Sequence, residues 1–255
     1  MARIIAIANQ KGGVGKTTTA INLAAGLAAY DQKVLLIDLD PQANATSGLG
    51  FSKREETGTI YAALLSGEVS PVIRQTAFPN LHIVPSGRDL VGAEVELVNN
   101  PDRETRLRFA LGAVRGSYHF VLIDCPPSLS LLTVNALTAA DSVLVPIQTE
   151  YFALEGLTEL LETIERVRDT FNPLLSMEGI VLTMFDERTN LARQVVDDIR
   201  QHFGDKVFQT VIPRNVRLGE APSFGKPVLA YDIKSKGAEA YLALAREFLK
   251  RRRAK

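Results

Sequence analysis

Apolar positions along the chain gather in short, β-branched runs, separated by longer stretches of helical period. Seven runs predict strands: "RIIAIA" (3–8), "KVLLIDL" (33–39), "LHIVPS" (81–86), "HFVLID" (119–124), "SVLVPIQ" (142–148), "EGIVLTMF" (178–185) and "KVFQTVIP" (206–213). Most are apolar at nearly every position, the pattern of strands covered on both faces within a parallel sheet. Between them the spacing predicts helices over 18–30, 103–114, 131–139, 154–170, 191–202 and 238–252. In the first of these, Ile21, Ala24, Leu27 and Ala28 share one face. Residues 46–79 carry a weaker pattern and predict a loop with a short helix near 60–65. Strand–helix alternation of this kind specifies an α/β fold, a doubly wound, mostly parallel sheet of seven to eight strands with helices on both faces. Nothing marks an internal boundary, so residues 1–255 are expected to form one domain. Only Met1 and Ala2 precede the first strand, so no N-terminal helix-turn-helix domain is expected.

Composition narrows the classes. Hydrophobic residues make up 46% and charged residues 23%, the balance of an ordinary globular protein. The single cysteine, Cys125, excludes an internal disulfide and any cluster or zinc site needing several thiolates. His82, His119 and His202 lack metal-ligand spacing. The apolar start runs only over 4–8, too short for a signal peptide, and no stretch reaches the roughly 18 apolar residues of a span. A cytoplasmic protein is expected. Formal net charge is zero, yet 206–255 holds twelve Lys and Arg against four Asp and Glu. That surplus predicts an anionic partner, although the tail "KRRRAK" also suits a helix C-terminus.

The chemistry lies in "NQKGGVGKTTT" (9–19), between the first strand and the first helix. Gly12, Gly13 and Gly15 let backbone N–H groups turn inward around phosphate oxygens, and Val14 lies within the same turn. Lys16 is placed to reach the β and γ phosphates, Thr17 to offer its hydroxyl to Mg²⁺, and Thr18 stands at the helix N-terminus. Asp124 ends a buried run, "FVLID", where a carboxylate can hold Mg²⁺. Asp38 and Asp40 stand at another strand end; Asp38 is read as structural. Gln10 occupies the first glycine position of the general pattern, and Lys11 follows it as a second lysine.

The loop K-G-G-x-G-K-T, with "LLIDLDPQANAT", "LIDCPPSLSLLTVNAL" and "TVIPRNVRLGEAPSFGKP", resembles the deviant Walker A ATPases of the ParA/Soj and MinD type, over nearly the whole chain. The resemblance implies that Lys11 reaches across a homodimer to the partner's phosphates and that Asp40 positions the attacking water and contacts the Mg²⁺ shell. It also implies that Pro213 and Asn215 flank the adenine, and that ATP is the nucleotide; the guanine-reading N-K-x-D is absent near 182–186. Arg188 and Arg217 lie in segments where the family has DNA-contacting arginines. With Lys226, Lys234 and Lys236 they form a candidate surface for non-specific double-stranded DNA. The implied partner is a ParB-type centromere-binding protein that speeds hydrolysis, and the implied location is the nucleoid. A MinD-like membrane ATPase is the alternative. Its anchor would be 238–252, where Tyr241, Leu242, Ala245, Phe248 and Leu249 form a stripe. A docked final helix carries the same stripe, so no stable membrane association is expected. Metal-trafficking relatives require paired cysteines, and the partitioning signatures speak against a ligase relative.

Overall fold

The computed structural model describes residues 1–54, 58–150 and 153–253 of the 255-residue chain. In chain order the elements are β1 (Arg3–Ile7), α1 (Lys16–Ala29), β2 (Val34–Asp38), α2 (Asn44–Gly48), α3 (Ile60–Ser66), β3 (Arg74–Gln75), β4 (Leu81–Val84), α4 (Leu90–Glu96) and α5 (Arg106–Ala110). They continue with β5 (Phe120–Asp124), α6 (Leu131–Ala139), β6 (Ser142–Gln148), α7 (Ala153–Thr170), β7 (Ser176–Thr183), α8 (Asn190–Phe203), α9 (Val216–Glu220), α10 (Val228–Tyr231) and α11 (Lys236–Arg253).

Seven strands form one sheet in the order β3-β4-β2-β5-β1-β6-β7, parallel except for the β3–β4 pair. Alternate strand residues feed two separate cores. Ile4, Ala6, Leu35, Ile37, Val121 and Ile123 face one cluster, and Ile5, Ile7, Val34, Leu36, Phe120 and Leu122 face the other. A period of two with both faces apolar is why these strands read as unbroken hydrophobic runs. The chain leaves β1 for β2 on one side and later passes from β5 to β6 on the other. The loops after β1 and β5 therefore part company at the middle of the sheet, the place where open α/β sheets bind ligands.

The apolar stripe of α11 is buried against α1. Of its members, Tyr241, Ala245 and Phe248 are each at most 1% exposed, Leu242 and Leu249 are partly buried against the same core, and a Cβ on Gly26 of α1 would meet the Ala245 Cβ at 2.9 Å. Of the basic tail, Arg251 is built into the fold. It donates to the carbonyls of Asp205 and Val207, and its guanidinium covers the Phe208 ring at 4.1 Å. Ala254 and Lys255 lie outside the described residues.

Three expectations change. The run 206–213 does not form an eighth strand: only the isolated bridges Ile180–Val207 and Phe185–Pro213 appear. The reason lies in α11, where the Glu247 carboxylate accepts the N–H groups of Gln209 and Thr210, both at 2.8 Å, and the Thr210 hydroxyl at 2.7 Å. Those donors are withdrawn from any ladder with β7. The helix expected over 103–114 is cut to α5, followed by a single 3₁₀ turn at Gly112–Val114. Within 46–79, where 55–57 lie outside the described residues, the expected helix appears as α3, and β3 adds an antiparallel edge strand.

Glu247→Ala is expected to destabilise the chain by about 1–3 kcal/mol, because it strips three donors of a charged acceptor. A urea titration followed by circular dichroism measures this; an unchanged midpoint removes the clamp from the account of this edge.

Candidate nucleotide site

Two adjoining cavities lie at the C-terminal ends of the strands. One, of about 430 Å³, is lined by Gly12, Gly13, Lys16, Thr17, Asp40 and Asn44, with Gln42 and Pro127 at its rim. The other, of about 220 Å³, is lined by Met184, Ile212, Pro213, Asn215, Leu218 and Tyr241. Gly15, Thr18 and Met184 belong to both, so the two cavities are halves of one elongated cleft.

The phosphate half follows from backbone geometry. Gly13 and Gly15 have φ of 75° and 87°, a region that L side chains rarely adopt. Gly15 is the N-cap of α1, which has no side-chain cap and no acid in its first turn. The unmatched N–H groups and the positive end of the helix dipole are thus left for an anion. Lys16 is 7% exposed, and its Nζ donates to the Lys11 carbonyl at 2.9 Å. Burial pushes the Lys16 ammonium pKa down, while Asp124, Cys125 and Asp40 oppose that shift. Lys11 itself does not line the cavity. Its side chain is partly exposed, and its Nζ stands 3.4 Å from Glu150.

Negative charge is concentrated beneath the loop. Asp38 and Asp124 are register partners on β2 and β5, and both are fully buried. Burial raises the Asp38 carboxyl to about 6, against hydrogen bonds from Thr46 and Asp40 that pull it down. Burial and the neighbouring Asp38 push Asp124 well above the usual carboxylate range, with the Thr17 hydroxyl and Lys16 acting the other way. Neither Asp124 oxygen has a hydrogen-bond partner of normal geometry. A buried, orphaned carboxylate beside a threonine hydroxyl is a donor set that fits Mg²⁺, an oxygen-seeking cation. Asp40 is 7% exposed and lines the cavity, and one of its oxygens accepts the Gln42 N–H at 2.9 Å.

Of the sequence-predicted residues, Gly12, Gly13, Gly15, Lys16, Thr17, Thr18 and Asp40 come together around the phosphate cavity, with Asp124 below it. Pro213 and Asn215 line the other half. Asn215 Oδ1 accepts the Arg217 N–H and caps α9, so the amide NH₂ is the part left for a base. Gln10 and Val14 stand outside the lining. Gln10 donates to Thr163 of α7, and the Val14 carbonyl accepts the Thr183 hydroxyl. Sequence reasoning missed Met184, which joins the cavities at a φ of 53°, and Tyr241, whose hydroxyl bonds Thr19 of α1. Met184 lies within 182–186, where a base-reading motif was sought, whereas nothing in the local sequence marks Tyr241. Asn44 and Gln42 were within reach, since both lie in the "DPQAN" run after Asp40.

A third cavity, of about 450 Å³, is lined by Arg188, Arg214, Val216 and Lys236, with Asp186 and Glu187 among them. It shares Pro213 and Arg214 with the smaller half of the cleft. Arg188 is held by Asp186 through two hydrogen bonds, and Arg217 by Glu220 and Asp232. Lys226 and Lys234 are exposed on the loops that follow. Surface pairs of this kind hold their arginines weakly and leave them open to exchange.

An AAA domain family model matches residues 2–177, which places the chain among phosphate-loop ATPases. A chromosome partitioning protein ParA of Myxococcus xanthus is 59% identical over 98% of this chain and 89% of its own length. A chromosome-partitioning ATPase Soj of Thermus thermophilus is 56% identical over 98% and 96%. A solved Mycobacterium smegmatis structure, named cobyrinic acid a,c-diamide synthase and holding an ATP analogue with magnesium, is 37% identical. It superposes with a TM-score of 0.87 over 99% of this chain and 96% of that one. The chain belongs to the ParA/Soj family of chromosome-partitioning ATPases.

Asp38 and Asp124 hold protons more tightly folded than unfolded. From about pH 4, where an unfolded aspartate titrates, the folded chain binds more protons, so it loses stability as pH rises. For Asp38 that loss is complete once pH passes the folded value of about 6. Without nucleotide or Mg²⁺, the melting temperature is expected to carry this falling component, and Asp124→Asn to weaken it. Melting curves of both proteins from about pH 4.5 to 7.5 check the sign; superimposable pH profiles would contradict the coupling.

Proposed function

We propose that this chain is a DNA-segregation ATPase in which ATP and Mg²⁺ join two copies, the dimer binds double-stranded DNA without sequence preference, and a ParB-type centromere-binding protein speeds hydrolysis and release. On this reading residues 1–255 act as one cytoplasmic, nucleoid-associated ATPase domain.

One observation carries it: the two loop lysines point to different places. Lys16 lines its own phosphate cavity, whereas Lys11 stays at the surface beside Glu150. A cation that does not serve its own phosphates is free to serve those of a second copy. There it would offset charge on the transferring phosphoryl group, as an arginine finger does.

The roles of the remaining residues follow from placement. The N–H groups of Gly12, Gly13, Val14 and Gly15 and of Thr17 and Thr18 bind phosphate oxygens, and Gln10 anchors the loop to α7. The Lys16 ammonium exchanges the Lys11 carbonyl for phosphate. Thr17 and Asp124 would hold Mg²⁺, with Asp40 at the cavity wall; the ion, when bound, neutralises β and γ oxygens. Asp40 orients the attacking water. Pro213 and Asn215 enclose the adenine. Arg188, Arg217, Lys226, Lys234 and Lys236 contact DNA phosphates, a purely electrostatic and salt-sensitive mode. Dimerisation approximately doubles those contacts, so nucleotide governs DNA affinity. The shared wall of Pro213 and Arg214 supports this link between base and basic surface. The membrane alternative loses support because Tyr241, Ala245 and Phe248 of the stripe it requires on α11 are buried, and Leu242 and Leu249 pack against the same core.

Lys11→Ala is expected to stay monomeric in light scattering with Mg·ATP while still binding nucleotide; a full dimer yield would refute the cross-subunit role. Arg188→Glu combined with Arg217→Glu is expected to dimerise normally yet give no gel shift with DNA at low salt. Undiminished DNA binding in that variant discards the surface.

A further inference from the structure

The carboxylate that faces the phosphate cavity belongs to a segment held in an unusually complete way. Asp38 Oδ1 accepts the Asp40 N–H at 3.2 Å. Asp38 Oδ2 accepts both the N–H and the hydroxyl of Thr46, at 2.7 and 2.6 Å. Thr46 Oγ1 in turn accepts the Ser86 N–H at 2.8 Å, and the Ser86 hydroxyl donates back to the Asp40 carbonyl at 2.8 Å. The ring is closed. It runs from the end of β2 through α2 to the second residue beyond β4 and returns to Asp40. Asp38, Thr46 and Ser86 are each at most 1% exposed, so water does not compete for these bonds.

We propose that Asp38, Thr46 and Ser86 are positioning residues for hydrolysis: their ring grips the backbone of Asp40 at both its N–H and its carbonyl, and so fixes the direction of its carboxylate in the phosphate cavity. This rests on the water-orienting role given to Asp40 above. The geometry divides the labour. One Asp40 oxygen is occupied by the Gln42 N–H, and the other is uncommitted among the described residues. A carboxylate left with one oxygen for water depends on its backbone for aim, and small errors of aim are expensive in rate. Thr46 is the hub because a single hydroxyl both donates to Asp38 and accepts from Ser86. A side chain of the same shape without that oxygen breaks the ring at two bonds.

The test is single-turnover hydrolysis of Mg·ATP by the full chain, with nucleotide affinity measured in parallel from a fluorescent ATP analogue. Thr46→Val and Ser86→Ala are each expected to slow hydrolysis by about tenfold or more while affinity stays within about twofold. Thr46→Ser, which keeps the hydroxyl, is expected to restore the rate. A rate near wild type in Thr46→Val overturns the proposal. So does a loss of rate matched by an equal loss of affinity, or one shared by Thr46→Ser, since the ring would then merely hold α2 in place. Ser86→Ala removes a single oxygen and decides the question should the valine variant fail to fold. Asp40→Ala runs alongside. If it hydrolyses normally, the role of Asp40 and the proposal fall together; if it is inactive while Thr46→Val is unimpaired, only the ring fails.

Discussion

Negative charge buried without enough positive charge to balance it governs the C-terminal edge of this sheet. Asp38 and Asp124 face one another across adjacent parallel strands, both without solvent, with Asp40 close by. The cation among them, Lys16, is itself disfavoured by burial and spends its hydrogen bond on a backbone carbonyl. Like charges in a low-dielectric interior destabilise a fold unless partners relieve them. For Asp124 that relief comes only from the Thr17 hydroxyl and the Lys16 ammonium. A divalent cation held there would supply positive charge, and the N–H groups at the start of α1 and the Lys16 ammonium would receive the phosphates it carries.

The rest of the fold keeps that arrangement in place and connects it to the surface. Helix α1 carries the loop at its N-terminus and is buried along α11, through the close approach at Gly26 and the Thr19–Tyr241 hydrogen bond. Because Tyr241 also lines the smaller half of the cleft, the C-terminal helix is part of the candidate site rather than an appendage. The chain after Asp40 is tied to the basic C-terminal segment as well. Gly225, at a φ of 63°, lies so close to Gly50 that a Cβ there would meet the Gly50 Cα at 2.6 Å. That contact seats the loop bearing Lys226 directly on the segment that follows α2. Movement on either side of it must be accommodated by the other, since packed backbones of this kind do not deform continuously.

Much of this was legible along the chain because it depends on local chemistry. Strand, glycine turn and helix succeed one another within 3–29, and the turn residues, Lys16 and Thr17 carry their geometry in their own types and spacing. Strands apolar on both faces announce a parallel sheet covered by helices, and aspartates at their ends announce where a ligand meets it. The paired lysines likewise required no fold to be noticed. Their sequence spacing left open only where each ammonium points.

What tertiary structure alone decided concerns partners distant in sequence. The run 206–213 has the composition of a strand, yet its amides turn to Glu247, 37 and 38 positions further on. Arg188 and Arg217 read as free charges but stand in ion pairs with Asp186, Glu220 and Asp232. Asp38 read as a structural acid; only folding brings Ser86, 46 positions after Asp40, back to close a ring around it. Tyr241 carries no local signal, and the absent base-reading motif near 182–186 did not single out Met184; both reach the cleft because β7 ends and α11 begins beside it. Sequence by itself determined which groups could bind a phosphate, through backbone conformation and short-range spacing. The tertiary structure decided which charges are compensated, because burial and pairing depend on neighbours that the linear order does not place together.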